Sequence, residues 1–396
     1  MVIVKLHRIV GFYSSISILS AYTGNTILNV GMTLAFFGII FFITTSINIP
    51  LVKQKFTKSK LSFFYFLYVS IAILSIIYFF DGDLVSWFVG VLPFIFTIYF
   101  CQNSIPREYT FLKKKELIKV FWAGAAFGSI IVLILSLIFG QVINSRLSTE
   151  ILSANTIARY TIVVIGYHAS NLLLPKNKKL DILILAFAFF ILFMTVSKTS
   201  IIAVLLTGLY LLISLRLVKF KVLFPIALTT LLFMLTPIFT STTDYLKDYL
   251  EADQLETLSG RQYIWIPLVE LVKENIWLGY GYNSPKNLLT PKYFDVWNGR
   301  SIIQAHNAWL QSLLNIGTIG TVVLFLLVIF QFKTLNKLKH QDKDLYFLLF
   351  FVFATLIIRG FTEASFANGG GVDVFWFSFI ILQSLFIIES KKYFKY

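Results

Sequence analysis

The sequence predicts an all-α polytopic membrane protein with about twelve transmembrane helices, and three observations carry that expectation. Hydrophobic residues make up 57% of the 396 and charged residues only 13%, about half the ~25% charged share of soluble domains. The apolar residues fall in long unbroken runs, such as residues 61–80, 316–332 and 374–388. Runs of roughly 20 suit a helix crossing a ~30 Å hydrocarbon core, whereas a membrane barrel would alternate polar and apolar residues over ~10-residue segments. Finally, the net charge of +15 is clustered: 24 of the 34 Lys and Arg lie in residues 5–8, 53–60, 107–119, 176–179, 216–221, 333–343 and 391–395. Basic loops mark the cytoplasmic side of a membrane. The charge therefore needs no nucleic-acid partner.

Placing those loops inside gives spans at 9–23, 27–51, 61–80, 84–101, 119–139, 156–174, 180–197, 200–215, 222–240, 307–332, 346–361 and 374–390. Both termini are then cytoplasmic, and the whole of residues 1–396 forms one integral membrane domain. The short external loops each carry at most one cation, as the same rule requires. A single cysteine, Cys101, excludes an internal disulfide and a cysteine-based metal site. Residues 1–8 are basic, but no small-residue cleavage pattern follows, so no cleavable signal peptide is expected.

One external loop, residues 241–305, is far longer than the rest. Within it, apolar residues at 264, 265, 268, 271, 272 and 276 recur at helical spacing. With Trp265 and Trp277 at its ends, this amphipathic helix is expected to lie along the outer membrane–water interface. Residues 244–258 form a second, more acidic candidate helix.

Ionisable groups in or beside membrane spans are costly and each needs a reason. Under this topology Arg159, Lys198, Arg261, His306 and Arg359 all lie near the external face, the side on which cations are disfavoured. An external anionic ligand accounts for that excess. Arg159 and Arg359 could alternatively snorkel to lipid headgroups, and Arg261 could anchor the interfacial helix. His306 alone among the four histidines combines external placement with a helix entrance, where Asn307 can cap. Histidine can accept a hydroxyl proton near neutral pH, and Arg and Lys suit phosphate oxygens. The pattern suggests a leaving diphosphate held by Lys198 and Arg261, with Arg159 and Arg359 as further diphosphate contacts, while His306 activates an acceptor hydroxyl. Glu363 faces the same side and can orient His306 or pair with Arg359. Asp81-Gly-Asp83 is a weak metal pair in a short acidic turn, and no zinc or P-loop pattern is present. No metal and no cofactor is expected.

The runs Ser259-Gly-Arg261 to Trp265, Leu278-Gly-Tyr-Gly281 and His306-Asn-Ala-Trp-Leu-Gln311, followed by Gly317 and Gly320, resemble the shared core of O-antigen ligases and O-antigen polymerases. Ser153-Ala-Asn155 resembles an Asn-containing span entrance of that family, and Val196-Ser-Lys-Thr-Ser200 stands where it has a Ser-Arg-Thr/Gly motif. These motifs span residues 153–365. The resemblance implies an inverting, metal-independent GT-C-type glycosyltransferase in the bacterial cytoplasmic membrane, with its active site facing the exterior. The donor would be a glycan on undecaprenyl diphosphate, and the acceptor lipid A–core or a second lipid-linked glycan, with a chain-length regulator as a possible partner. Carried over by position, His306 is the base and Arg261 and Lys198 bind the diphosphate. Lys198 departs from the family's usual Arg and loses its forked donor set. A transporter or flippase of lipid-linked glycan is the rival from another class, but it would place cations near the midplane in broken helices.

Overall fold

The computed structural model describes residues 2–16, 59–79, 84–105, 109–143, 146–149, 152–217, 261–282, 304–367 and 372–389. The described residues are mainly helical. The elements in order are α1 (Val2–Ile16), α2 (Lys60–Tyr78), α3 (Leu84–Ser104), α4 (Phe111–Ile138), a hairpin of β1 (Gln141–Ile143) and β2 (Arg146–Ser148), α5 (Ala154–Asn171), α6 (Lys179–Met194) and α7 (Lys198–Ser214). There follow α8 (Arg261–Glu274), α9 (Ala308–Leu338), α10 (Lys343–Arg359), a 3-10 turn (Ser365–Ala367) and α11 (Val372–Glu389). Among the described residues, Lys60–Tyr78, Phe111–Ile138 and Ala308–Leu338 are long and apolar enough to cross a membrane. The expected spans 27–51 and 222–240, the acidic segment 244–258, and Asp81 and Asp83 lie outside the described residues.

Helix starts follow local chemistry. The Ser59, Thr110, Ser153 and Asp342 side chains each accept a backbone N–H from the first turn of the following helix. Several helices overrun the expected spans at their basic ends. α4 begins at Phe111 rather than 119, and α9 runs to Leu338 rather than 332. Lys and Arg are good helix formers, so the backbone stays helical after the apolar run has ended. α1 likewise begins at Val2, ahead of the span expected from residue 9.

The core is built around α10 and α11. From Val372 to Ile387 every residue of α11 except Phe375 is buried, as are Asp344–Ile357 of α10. A helix apolar all round belongs in the middle of a bundle. Two of its polar side chains bond to neighbouring helices: Trp122 Nε1 donates to Gln383 Oε1 at 2.9 Å, and Gln331 Nε2 to Ser384 Oγ at 2.9 Å. α1 meets α4 backbone to backbone. A Cβ on Gly124 would lie 2.1 Å from the Arg8 carbonyl oxygen, and one on Gly11 1.9 Å from that of Phe121. Small residues give membrane helices this close approach.

α9 is not the continuous span that its hydropathy predicts. It breaks at Gly317 (φ 63°, ψ −169°), a conformation close to glycine-only. The chain after α8 threads into the break. The Tyr280 and Gly281 N–H groups donate to the Leu314 and Asn315 carbonyls at 2.7 and 2.9 Å, and Thr318 N–H donates to the Ile276 carbonyl at 2.8 Å. Backbone groups freed by the break are thereby satisfied inside protein.

Candidate active site

α8 begins at Arg261 and turns Ile264, Leu268, Leu271 and Val272 inward. These residues pack with Ala305 and Leu314 as a second, small apolar core, joined by Trp265, Tyr280, Leu310 and Leu313. The loop helix expected at the membrane interface thus packs on the segment leading into α9. Its other side leaves Ile266 and Val269 exposed, followed by Ile276 and Trp277.

The approach to α9 is clamped from both sides. Trp265 Nε1 donates to the Ala305 carbonyl at 2.8 Å, and Ala305 N–H donates to Gln311 Oε1 at 2.8 Å. His306 follows with φ 48°, a left-handed value uncommon outside glycine. Asn307 then caps α9 as its sequence position suggests: Oδ1 accepts the Trp309 and Leu310 N–H groups at 2.9 and 3.0 Å. Its Nδ2 donates to the Phe361 carbonyl at 3.0 Å, and Ala308 N–H donates to that of Gly360 at 2.7 Å. These bonds fasten the start of α9 to the turn after α10.

That turn carries Glu363. Its Oε1 accepts from Arg261 Nη2 at 2.9 Å and from Asn155 Nδ2 at 2.6 Å, while Oε2 lies 3.8 Å from His306 Nδ1. The carboxylate is buried (9% side-chain exposure), whereas the imidazole reaches solvent (28%). Burial pushes the Glu363 carboxyl up, but the His306 contact and the charges of Arg359 and Arg261 outweigh it and hold it below the usual carboxylate range. Glu363 is an anion that holds His306 and Arg261 together.

Lys198 opens α7 instead of occupying the turn expected at Lys198-Thr199; the chain bends earlier, at Thr195 to Ser197, with Val196 at φ 49°. Thr362 Oγ1 donates to Thr199 Oγ1 at 2.7 Å, joining this helix start to the Glu363 turn. Asn155 stands on the first turn of α5, where its carbonyl accepts from Arg359 Nη2 at 3.0 Å.

The other two arginines have partners of their own. Arg159 Nε lies 3.1 Å from the buried carboxylate of Asp373, and Arg359 has no solvent exposure. Both were expected to contact the diphosphate; in the fold Arg159 is paired with Asp373 and Arg359 donates to the Asn155 carbonyl. Two contributors were not singled out from the sequence: Asp373 and Arg146. Arg146 was in principle discoverable, being a cation of the same expected external side as Arg159. Its Nη2 donates to Asn155 Oδ1 at 3.0 Å and its Nε to the Thr195 carbonyl at 3.3 Å.

Among the described residues, four guanidinium groups thus gather near two carboxylates, with Lys198 on the adjoining helix start. This surplus of positive charge beside a solvent-reaching imidazole suits an anionic ligand that leaves as a proton is removed nearby. Residues 183–325 match the family described as O-antigen ligase, a segment that contains Lys198, Arg261 and His306. No curated protein matches the chain.

Proposed function

We propose, from the match of residues 183–325 to the O-antigen ligase family, that the protein is a membrane glycosyltransferase. It transfers a glycan from undecaprenyl diphosphate to an acceptor hydroxyl at the outer face of the bacterial cytoplasmic membrane. In the ligase form, the acceptor is lipid A–core. The observation that carries the reading is the meeting of Arg261, His306 and Glu363 at the point where α8, α9 and the turn after α10 converge.

With His306 Nδ1 turned toward Glu363, Nε2 is the nitrogen that takes the acceptor proton. The acceptor oxygen bonds to the anomeric carbon as the bond from that carbon to the diphosphate oxygen breaks, with inversion. The negative charge on the departing diphosphate is met by Arg261 and Lys198. Glu363 stabilises the imidazolium that forms and fixes the ring. Arg159 and Arg359 act from behind, holding Asp373 and Asn155. An apolar cavity of about 400 Å³ lined by Leu74, Tyr78, Leu278, Ile316 and Ile319, among others, lies beside the Gly317 break and suits a hydrocarbon chain entering from the bilayer.

The test is deletion of the gene followed by electrophoresis of surface glycan and extraction of lipid-linked intermediates. Loss of all long chains from lipid A–core, with undecaprenyl-linked polymer accumulating, is the expected ligase outcome. A single repeat unit left on the core would instead identify a polymerase. An unaltered glycan profile would sink the glycosyltransferase reading.

A further inference from the structure

Arg146 lies outside the motifs that mark the site, yet it touches two of the segments that build it. It stands on β2, opposite Ile143 in the hairpin, and its neighbour Leu147 is buried in the main core. The hairpin is therefore seated on the bundle, and the arginine projects from a fixed base. Its Nη2 meets the Asn155 side chain on α5, and its Nε meets the Thr195 carbonyl three residues before Lys198.

The donor and acceptor inventory gives this contact a direction. Arginine only donates and an ionised carboxylate only accepts. Asn155 lies between the two, so its Oδ1 must face Arg146 and its Nδ2 must face Glu363. The contacts at 3.0 and 2.6 Å satisfy both ends. Glu363 Oε1 is then occupied by Asn155 and Arg261, which leaves Oε2 as the oxygen toward His306. The other arm of Arg146 restrains the bend that sets where α7 begins, and hence where Lys198 stands.

We propose that Arg146 is a positioning residue that couples the two halves of the site: the His306–Glu363 pair through Asn155, and the Lys198 turn through Thr195. The catalytic part of this inference rests on the glycosyltransferase reading above; the mechanical part does not. Lysine keeps the charge but donates from one atom in place of a planar fork, so it restores the bridge only partly.

The test uses the full-length protein in detergent, with two variants that cut the bridge from opposite ends, Arg146→Ala and Asn155→Ala. Asn155→Ala leaves the hairpin untouched, which guards against simple misfolding of the first variant. Hydrogen–deuterium exchange should rise in residues 195–200 and 361–366 together in Arg146→Ala, with α10 and α11 unaffected. Faster exchange confined to residues 141–149 would overturn the coupling. In a transfer assay with undecaprenyl-diphosphate glycan extracted from the parent strain, each variant should lose about 10–100-fold in kcat, the scale of a small misplacement of reacting groups. KM should stay within about threefold, Arg146→Lys should fall between wild type and Arg146→Ala, and the double variant should be no worse than the poorer single one. A raised KM with unchanged kcat would make Arg146 a direct ligand, and additive losses would make it an independent packing residue; either result rejects the proposal. A wild-type protein inactive in that assay would count against the proposed function alone, since the exchange experiment decides the coupling by itself.

Discussion

The two ends of the helix bundle both carry clusters of charge, and they handle it in opposite ways. Asn155 and His168 lie at opposite ends of α5, ~20 Å apart along its axis, and Asp344 and Arg359 span ~22 Å of α10 in the same manner. At the His168 end, Lys115 and Lys119 are matched by Asp342 and Asp344, and Asp181 by His168 Nδ1 at 2.8 Å and Lys176 at 3.5 Å. Within these pairs each lysine meets a carboxylate. At the Asn155 end, among the described residues, Arg159 and Arg261 pair with Asp373 and Glu363, while Arg146 and Arg359 donate to Asn155 and Lys198 stands on the adjoining helix start. Matched pairs join helices and ask for nothing further. Among the described residues the cations here outnumber the carboxylates, and such an excess held among helices is costly unless an anion arrives.

The contrast can be broken most sharply at His306. Replacing it with alanine should cut kcat by about 10²–10⁴-fold, the usual worth of a general base, while the protein accumulates normally in the membrane. Full activity in that variant would remove His306 as the base. Arg261→Ala should cost about 10²-fold in kcat/KM and weaken donor binding, with Arg261→Lys intermediate. Donor affinity that did not change would argue against the diphosphate role.

A smaller effect should follow pH. The Glu363 carboxyl sits below its usual value of 4.5 in the folded protein. Its stabilising contribution is therefore complete above that value and is lost as pH falls through the depressed one. Thermal unfolding in detergent between pH 7 and pH 3 should show wild type losing more stability in acid than Glu363→Gln; parallel curves would deny the depressed carboxylate. The smallest effect on turnover belongs to the opposite end. Asp344→Asn should lower the unfolding temperature and leave kcat and KM as they were, because its partners Lys115 and Lys119 join α4 to α10 far from His306. A marked loss of turnover there would end the distinction between the two clusters.

Much of this was legible in the sequence. Lys198, Arg261 and His306 stood out because cations on the disfavoured side of a membrane require an explanation, and Asn307 because it precedes an apolar run. The Trp265–Trp277 segment announced a helix by its spacing. The division of labour among the arginines was not legible. Arg159 and Arg261 look alike as letters near the same face, but one is held by a buried Asp373 and the other meets Glu363 beside a solvent-reaching imidazole. The break at Gly317 escaped hydropathy because the residues on both sides of it are equally apolar. What marks the break is the chain 276–281 inserted against it, and no local pattern records that contact.

The sequence by itself determined that the molecule is a helical membrane protein and which cations lie beside its apolar runs, since both follow from hydropathy and charge, which are sums over local composition. It also marked His306 by elimination, because so few titratable groups lie beside the apolar runs. The tertiary structure alone decided which carboxylate each arginine meets, that Arg146 reaches both Asn155 and Thr195, and that α8 is bolted to a broken α9. Those outcomes depend on hydrogen-bond directions and close backbone approach between segments as much as two hundred residues apart, and only the folded chain brings such segments together.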